Sequence, residues 1–207
     1  MDSIAGFILT GGQSRRMGID KSRLMLEGQS FVERIAGELA AVTHSVAVVG
    51  NNRAATPLRI KLPIVSDVYP EWGALGGVHA ALSACGAVWA LIVACDFPFV
   101  TRELFARLAS FREGLDAVAP IQKDGIPQPL CALYRVDPCL ERAERLIKSG
   151  ERKPIALLQS LETRWVSFAE LSSLEGADNF FENINTPEDY ARVSEKGRLS
   201  VNDVATG

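Results

Sequence analysis

The chain has 207 residues, of which 47% are hydrophobic and 23% charged, and its formal net charge is −3. This length suits one large domain, and the composition supplies a sizeable core and speaks against a disordered chain. The acidic balance speaks against a nucleic-acid polymer as partner, which would call for a basic surface, but a small phosphate ligand needs only a local positive spot.

Apolar runs short enough for buried strands alternate with segments of helical period. Residues 4–10 form the first predicted strand. Ser30-Phe31-Val32-Glu33 is a capping-box pattern that starts a helix with Val32, Ile35, Ala36 and Leu39 on one face. Residues 45–50 read as a second strand and residues 64–67 as a short third. After the glycines at 73, 76 and 77, a helix carrying Val78, Ala81 and Leu82 leads to the strand at residues 88–95. Thr101 caps the next helix, with Leu104, Phe105 and Leu108 inward. Two more strands are predicted at residues 116–120 and 129–134. Asp137-Pro138 opens a helix that Gly150 ends. Residues 163–168 form another strand, and Thr186-Pro187-Glu188-Asp189 opens a last helix with Tyr190 and Val193. From Glu195 the sequence is polar and aperiodic, so the expected organisation is one domain over residues 1–194 and a flexible tail over residues 195–207.

This alternation, with strands apolar on both faces, predicts a three-layer α/β/α, Rossmann-like fold with a mostly parallel sheet. The amino-terminal segment has neither the positive start nor the apolar stretch of a secretion signal, and no run is long enough to span a membrane. A cytoplasmic protein is therefore expected. Cys85, Cys95, Cys131 and Cys139 sit in apolar surroundings without a C-x-x-C pair and read as small buried hydrophobes. His44 and His79 fall in no metal-ligand pattern and read as structural.

Ligands of such sheets bind beyond the carboxyl ends of the strands, so chemistry is sought in the loop that leaves each strand. The first strand runs into Leu9-Thr10-Gly11-Gly12-Gln13-Ser14-Arg15-Arg16-Met17-Gly18-Ile19-Asp20-Lys21. Paired glycines let backbone N–H groups approach a phosphate. Between Gly11 and Arg23 the chain carries four cations and one anion, a local reversal of the overall charge. The loop is neither a P-loop, because Ile19 and Asp20 separate Gly18 from Lys21, nor G-x-G-x-x-G. Asp96, just past the strand at residues 88–95, stands at the sheet's carboxyl edge, where a hard oxygen ligand suits Mg²⁺. Taken alone, it would equally suit a capping aspartate.

Leu9-Thr10-Gly11-Gly12-x-Ser14-x-Arg16-Met17-Gly18-x-Asp20-Lys21 resembles the signature of the molybdenum cofactor guanylyltransferase family, and the resemblance extends over roughly residues 4–193. It implies a fold of the nucleotide-diphospho-sugar transferase type and transfer of GMP from GTP to the phosphate of molybdopterin (the organic part of the molybdenum cofactor), with Mg²⁺ as cofactor. By that resemblance the catalytic residues are Lys21, Arg16 and Asp96, with Asp96, in Asp96-Phe97-Pro98, as metal ligand. Leu9, Thr10, Gly11, Gly12, Lys21, Asp67, Gly76, Gly77 and Asp96 would bind the nucleotide. Gly73-Ala74-Leu75-Gly76-Gly77 resembles the family's Gly-Pro-Leu-x-Gly turn near the base, with Ala74 in place of Pro. Where some members carry Asn after the second strand, this chain has Gly50 and then Asn51 and Asn52. Arg152, in Gly150-Glu151-Arg152, and Asn183 and Asn185, in Asn183-Ile184-Asn185-Thr186-Pro187-Glu188-Asp189, match segments that flank the pterin-phosphate acceptor. A helix-end cation and turn residues are the plain alternatives for these three. A molybdoenzyme or its chaperone is a candidate recipient of the product. Rival readings are a CTP-dependent cytidylyltransferase on the same pterin, a sugar-phosphate nucleotidyltransferase, and a cofactor-delivery protein without chemistry.

Overall fold

The computed structural model describes residues 3–10, 24–26, 28–50, 61–182, 184 and 189. Its strands are β1 (Ile4–Leu9), β2 (Met25–Leu26), β3 (Gln29–Ser30), β4 (Ser45–Val49), β5 (Ile64–Val65), β6 (Trp89–Ala94), β7 (Ala117–Pro120), β8 (Cys131–Arg135) and β9 (Thr163–Val166). The helices are α1 (Phe31–Ala40), α2 (Gly73–Ala84), α3 (Arg102–Ser110), α4 (Val136–Lys148), α5 (Pro154–Gln159) and α6 (Phe168–Leu171).

Seven strands form one sheet in the order β5-β4-β1-β6-β8-β7-β9, and β2 pairs with β3 in a separate ribbon. Parallel pairs join β1 to β4 and β6, β4 to β5, and β7 to β9, whereas β8 runs antiparallel to both its neighbours. The sheet is thus mostly parallel, as expected. Strand order reverses at β1: the chain steps outward through β4 and β5, then returns to place β6 on the other side of β1. That switch point opens a crevice at the carboxyl ends of β1 and β6.

Side chains alternate between two cores. Ile8, Leu91, Val93 and Leu133 face one layer with Ile35 and Leu39 of α1 and Leu104 and Leu108 of α3. Phe7, Leu9, Ile92 and Tyr134 face the other with Val78 and Leu82 of α2, Cys139 and Ala143 of α4, and Leu157 of α5. Every residue of β6 is buried, as befits the central strand of a sheet covered on both faces. The thiols of Cys95, Cys131 and Cys139 are buried. Burial raises the pKa of the Cys139 thiol to about 12 and pushes Cys131 higher still, so both behave as small hydrophobes.

The predicted helix starts hold where a side chain makes the cap. Ser30 Oγ accepts from Glu33 N–H at 3.2 Å while Glu33 Oε2 accepts from Ser30 N–H at 2.9 Å, a complete capping box. Thr101 caps α3 through Leu104 N–H. Elsewhere the boundaries differ. The helix α2 begins at Gly73, so its glycines lie inside the first turns and not in a preceding loop. Helix α4 begins at Val136, with Asp137 and Pro138 in its first turn. The last strand stops at Val166 because Ser167 and Glu170 form a second capping box that starts α6. Helix α5 and the β2–β3 ribbon carry no sequence expectation. Among the described residues, no helix is long and apolar enough to cross a membrane. Apart from Asp189, the expected last helix lies outside the described residues, and so does the tail from residue 195.

Tyr134 is fully buried, and its hydroxyl donates to Pro129 O at 2.6 Å, tying down the segment that enters β8. Replacing it by Phe leaves that carbonyl without its donor, at a cost of about 1 kcal/mol. Tyr134→Phe should therefore lower the melting temperature by about 2–4 °C without changing the circular-dichroism spectrum.

Candidate functional site

The pairing of β1 with β6 ends at Leu9 opposite Ala94, and Cys95 N–H donates to Leu9 O at 3.0 Å. Thr10 follows Leu9 directly, whereas Cys95 and then Asp96 follow Ala94, so the opening of the glycine loop and the aspartate leave neighbouring strands one residue out of step. Thr10 is held from the other side, its N–H and its hydroxyl both donating to Val49 O, at 2.9 and 3.0 Å. Residues 11–23 lie outside the described residues, and with them Gly11, Gly12, Arg16 and Lys21; the same holds for Asn51 and Asn52. The far end of the glycine loop returns to the same place. Leu24 packs with Leu26, Phe31, Ile184 and Phe99, and Phe99 is three residues past Asp96. Both ends of the loop are therefore anchored around Asp96.

Asp96 is itself partly exposed. Its backbone carbonyl accepts from Ile184 N–H at 3.4 Å. Ile184 is fully buried and lies in sequence between Asn183 and Asn185, which are outside the described residues. The bond brings the acceptor segment named from the sequence to the tip of β6.

A second group of site candidates gathers at the start of α2. Asp67 Oδ1 accepts from Tyr69 N–H at 2.8 Å. Burial raises the Asp67 pKa, opposed by that hydrogen bond and by the charge of His79. Gly76 is fitted against this turn: a Cβ there would lie 2.4 Å from Tyr69 O, 3.2 Å from Asp67 Oδ1 and 3.3 Å from Trp72 Cβ. Only glycine leaves the backbone room to pass. Gly77 has ordinary space, a Cβ there meeting Leu9 Cδ1 at 3.5 Å. Leu9 is thus a core residue whose carbonyl belongs to the sheet and whose side chain lies beneath α2.

Arg152 joins this second group. Gly150 closes α4 with φ +89°, and Glu151 Oε1 accepts from the N–H groups of Arg152 and Lys153 at 2.8 and 2.9 Å, fixing the turn. The Arg152 guanidinium lies over the Trp72 ring, 4.9 Å from its centroid, and Trp72 Nε1–H donates to Ile147 O at 3.1 Å. The stack orients the guanidinium and leaves its N–H edges for an anion. The two acceptor candidates accordingly enter through different anchors, Arg152 through Trp72 and the 183–185 segment through Asp96.

Trp72 and His79 were not expected from the sequence. His79 is buried, its ring edge-on to Tyr69 at 5.0 Å and its Nδ1 3.5 Å from Ser83 Oγ. Its Nε2 has no hydrogen-bond partner among the described residues and lies 3.8 Å from Glu144 Oε1. A tryptophan before Gly73 and a histidine one helical turn past Leu75 carry no motif. Their role is legible only once α2 packs on α4.

The model of the MobA-like NTP transferase domain family matches residues 6–164. A chain from Pelotomaculum thermopropionicum named "Probable molybdenum cofactor guanylyltransferase" is 35% identical over 204 residues, covering 98% of this chain and 95% of that one. The molybdenum cofactor guanylyltransferase of Desulfosudis oleivorans is 32% identical, covering 97% of this chain and all of the other. Among solved structures, molybdopterin-guanine dinucleotide biosynthesis protein A of Archaeoglobus fulgidus superimposes with a TM-score of 0.79 at 28% identity, over 94% of this chain and 99% of that one.

The two glycines of α2 should respond oppositely. Gly76→Ala forces a methyl into the Tyr69 carbonyl and should cost about 1–3 kcal/mol, whereas Gly77→Ala, where the methyl makes ordinary contact with Leu9 within a helix, should be neutral or stabilising by up to about 1 kcal/mol. Chemical denaturation of both variants checks this. For Asp67, a folded-state pKa above the ordinary 3.8 makes the ionised form the costly one, so its cost appears as pH rises through the raised value. Asp67→Asn keeps an oxygen for Tyr69 N–H and removes the charge. Its melting temperature should equal or exceed that of the parent at neutral pH, and the gap should close below the ordinary carboxylate pKa.

Proposed function

Because the chain belongs to the MobA-like NTP transferase family, we propose that it transfers GMP from GTP to the phosphate of molybdopterin, yielding the guanine dinucleotide cofactor and pyrophosphate. The observation that carries this reading is the Leu9–Ala94 pair, from which Thr10 on one strand and Cys95-Asp96 on the other leave the sheet on adjacent strands. It puts the start of a cationic glycine loop beside a carboxylate at the sheet's switch point, the place where an open α/β sheet receives a nucleotide.

In this reading a phosphate oxygen of the acceptor attacks the α-phosphorus of GTP in line, and pyrophosphate leaves from the opposite side. No protein nucleophile is required. Holding both phosphates in place and neutralising their charge supplies the acceleration. Lys21, Arg16 and the N–H groups around Gly11 and Gly12 hold the triphosphate. The turn formed by Asp67, Gly76 and Gly77 receives the nucleoside. Arg152 presents its guanidinium to a phosphate, and Asn183 and Asn185 offer donors and acceptors to a polar heterocycle.

Asp96 fits Mg²⁺. It is a partly exposed carboxylate, and among the described residues no three His, Cys, Asp or Glu side chains gather into a ready-made metal cage. One carboxylate supplemented by substrate phosphates and water is the donor set Mg²⁺ prefers. When bound, the ion withdraws charge from the phosphate oxygens.

The test is pyrophosphate release from molybdopterin, Mg²⁺ and each nucleoside triphosphate in turn. Release with GTP and not with CTP is expected; release with CTP alone, or with none, refutes the reading. Lys21→Ala and Asp96→Ala should each lose on the order of 10²-fold or more in rate. The Asp96 change spares the backbone carbonyl that Ile184 uses, so its melting temperature should stay near that of the parent. Normal turnover by either variant removes that residue from the mechanism.

A further inference from the structure

The turn between β7 and β8 rises from the same sheet edge as Asp96, yet the site described above makes no use of it. Its two glutamines are clasped, Gln128 Nε2–H donating to Gln122 Oε1 at 2.6 Å. Their backbones are pinned, Gln122 N–H donating to Ile126 O at 3.0 Å and Gln128 N–H to Pro120 O at 2.9 Å. Among the described residues this leaves the Gln128 amide oxygen and the Gln122 amide N–H groups without a partner: one acceptor and one donor, side by side. Exchanging oxygen and nitrogen in both amides yields the same pair with roles swapped.

Gln122, though not Gln128, lines an open groove of about 590 Å³ with Asp124, Phe168, Asn179, Phe181 and Glu182. Three links tie it to the tip of β6. The Phe181 ring meets Phe97, the residue after Asp96, edge-on at 6.0 Å. Ala94 N–H donates to Leu130 O at 2.8 Å, two residues past Gln128. Ile184, two residues past Glu182, donates to Asp96 O. Lys123 spans the mouth, 3.0 Å from Asp178 Oδ1 and 5.6 Å over the Phe168 ring.

We propose that this groove seats the ring system of the acceptor, with the Gln122 amide, held in place by Gln128, reading the hydrogen-bonding edge of a flat heterocycle, an inference that rests on the function proposed above. A pterin edge alternates N–H donors with nitrogen and oxygen acceptors; the Gln122 amide and the carboxylates of Asp124 and Glu182 in the same lining supply partners for both kinds. The ring's faces need apolar cover, which Phe168 and Phe181 supply. The volume lies within the ordinary range for small-molecule sites, about 300–1,000 Å³. The bond between the two amides fixes their rotamers before the ligand arrives, which lowers the entropy lost on binding.

Molybdopterin binding by the full chain, read from pterin fluorescence, tests the groove separately from turnover. Gln122→Glu keeps an oxygen for Gln128 and replaces the free donor by a negatively charged acceptor; Gln122→Leu removes the clasp. The dissociation constant for molybdopterin should rise about tenfold in Gln122→Glu and further in Gln122→Leu, while GTP affinity and melting temperature stay unchanged. Should Gln122→Leu fail to fold, Gln122→Glu decides. Pterin affinity within twofold of the parent in the folded variants, or a matching loss of GTP affinity, overturns the groove even if the parent chain releases pyrophosphate. A parent chain that binds molybdopterin through Gln122 but releases no pyrophosphate overturns the reaction and leaves the groove standing. No binding of molybdopterin by the parent overturns both.

Discussion

Strands β1 and β6 run side by side in register from Ile4 opposite Trp89 to Leu9 opposite Ala94, and the bond from Cys95 N–H to Leu9 O carries the ladder one step further. Parallel ladders are evenly spaced, so the residues that leave them do so at the same height. Thr10 leaves β1 opposite Cys95, and Asp96 follows one residue later on the β6 side. A slip of one residue in this register would turn the whole apolar set of β6 onto the wrong face, because Leu91 and Val93 feed one core while Ala90 and Ile92 feed the other. The same packing that makes the sheet stable therefore sets the separation between the carboxylate and the glycine loop.

On one side of this pair, β4 and β5 bring Asp67 and the start of α2 to the edge. Here the controlling fact is steric. Gly76 lets the helix pass within a Cβ's reach of Tyr69 O, and that approach holds the Asp67 carboxylate and the Trp72 ring together. Trp72 in turn seats Arg152 from the end of α4. On the other side, the antiparallel strand β8 breaks the βαβ pattern. Because it runs against β6 and β7, the turn that feeds it, with Gln122 and Gln128, lies at the carboxyl edge beside Ala94. A wholly parallel sheet would have placed that turn at the opposite edge.

The caps at Ser30 and Thr101, the buried strands and the helical faces were legible because they depend on spacing within a few residues. The second capping box, Ser167 to Glu170, is equally local, but the apolar Trp165, Val166 and Phe168 around it read as a continuing strand. The start of α2 differs from expectation for another reason. Glycine has poor intrinsic helix propensity, and three of them in five residues signal a loop; burial of Leu75, Val78 and Leu82 against the sheet outweighs that cost. Trp72, His79 and the paired glutamines carried no sequence signal, since each gains its place from a partner more than five residues away or on another element.

By itself, the sequence determined the class of fold, the glycine-rich cationic loop, the aspartate after the central strand, and the family to which these belong, because each is written in residue type and short-range spacing. The tertiary structure alone decided what stands next to what. It set Thr10 beside the Cys95-Asp96 exit of β6, Ile184 on the Asp96 carbonyl, and Arg152 on Trp72. The physical reason is that neighbours across a sheet or between helices are chosen by register, strand direction and the filling of two cores, quantities that belong to the packed chain as a whole and to no local stretch of it.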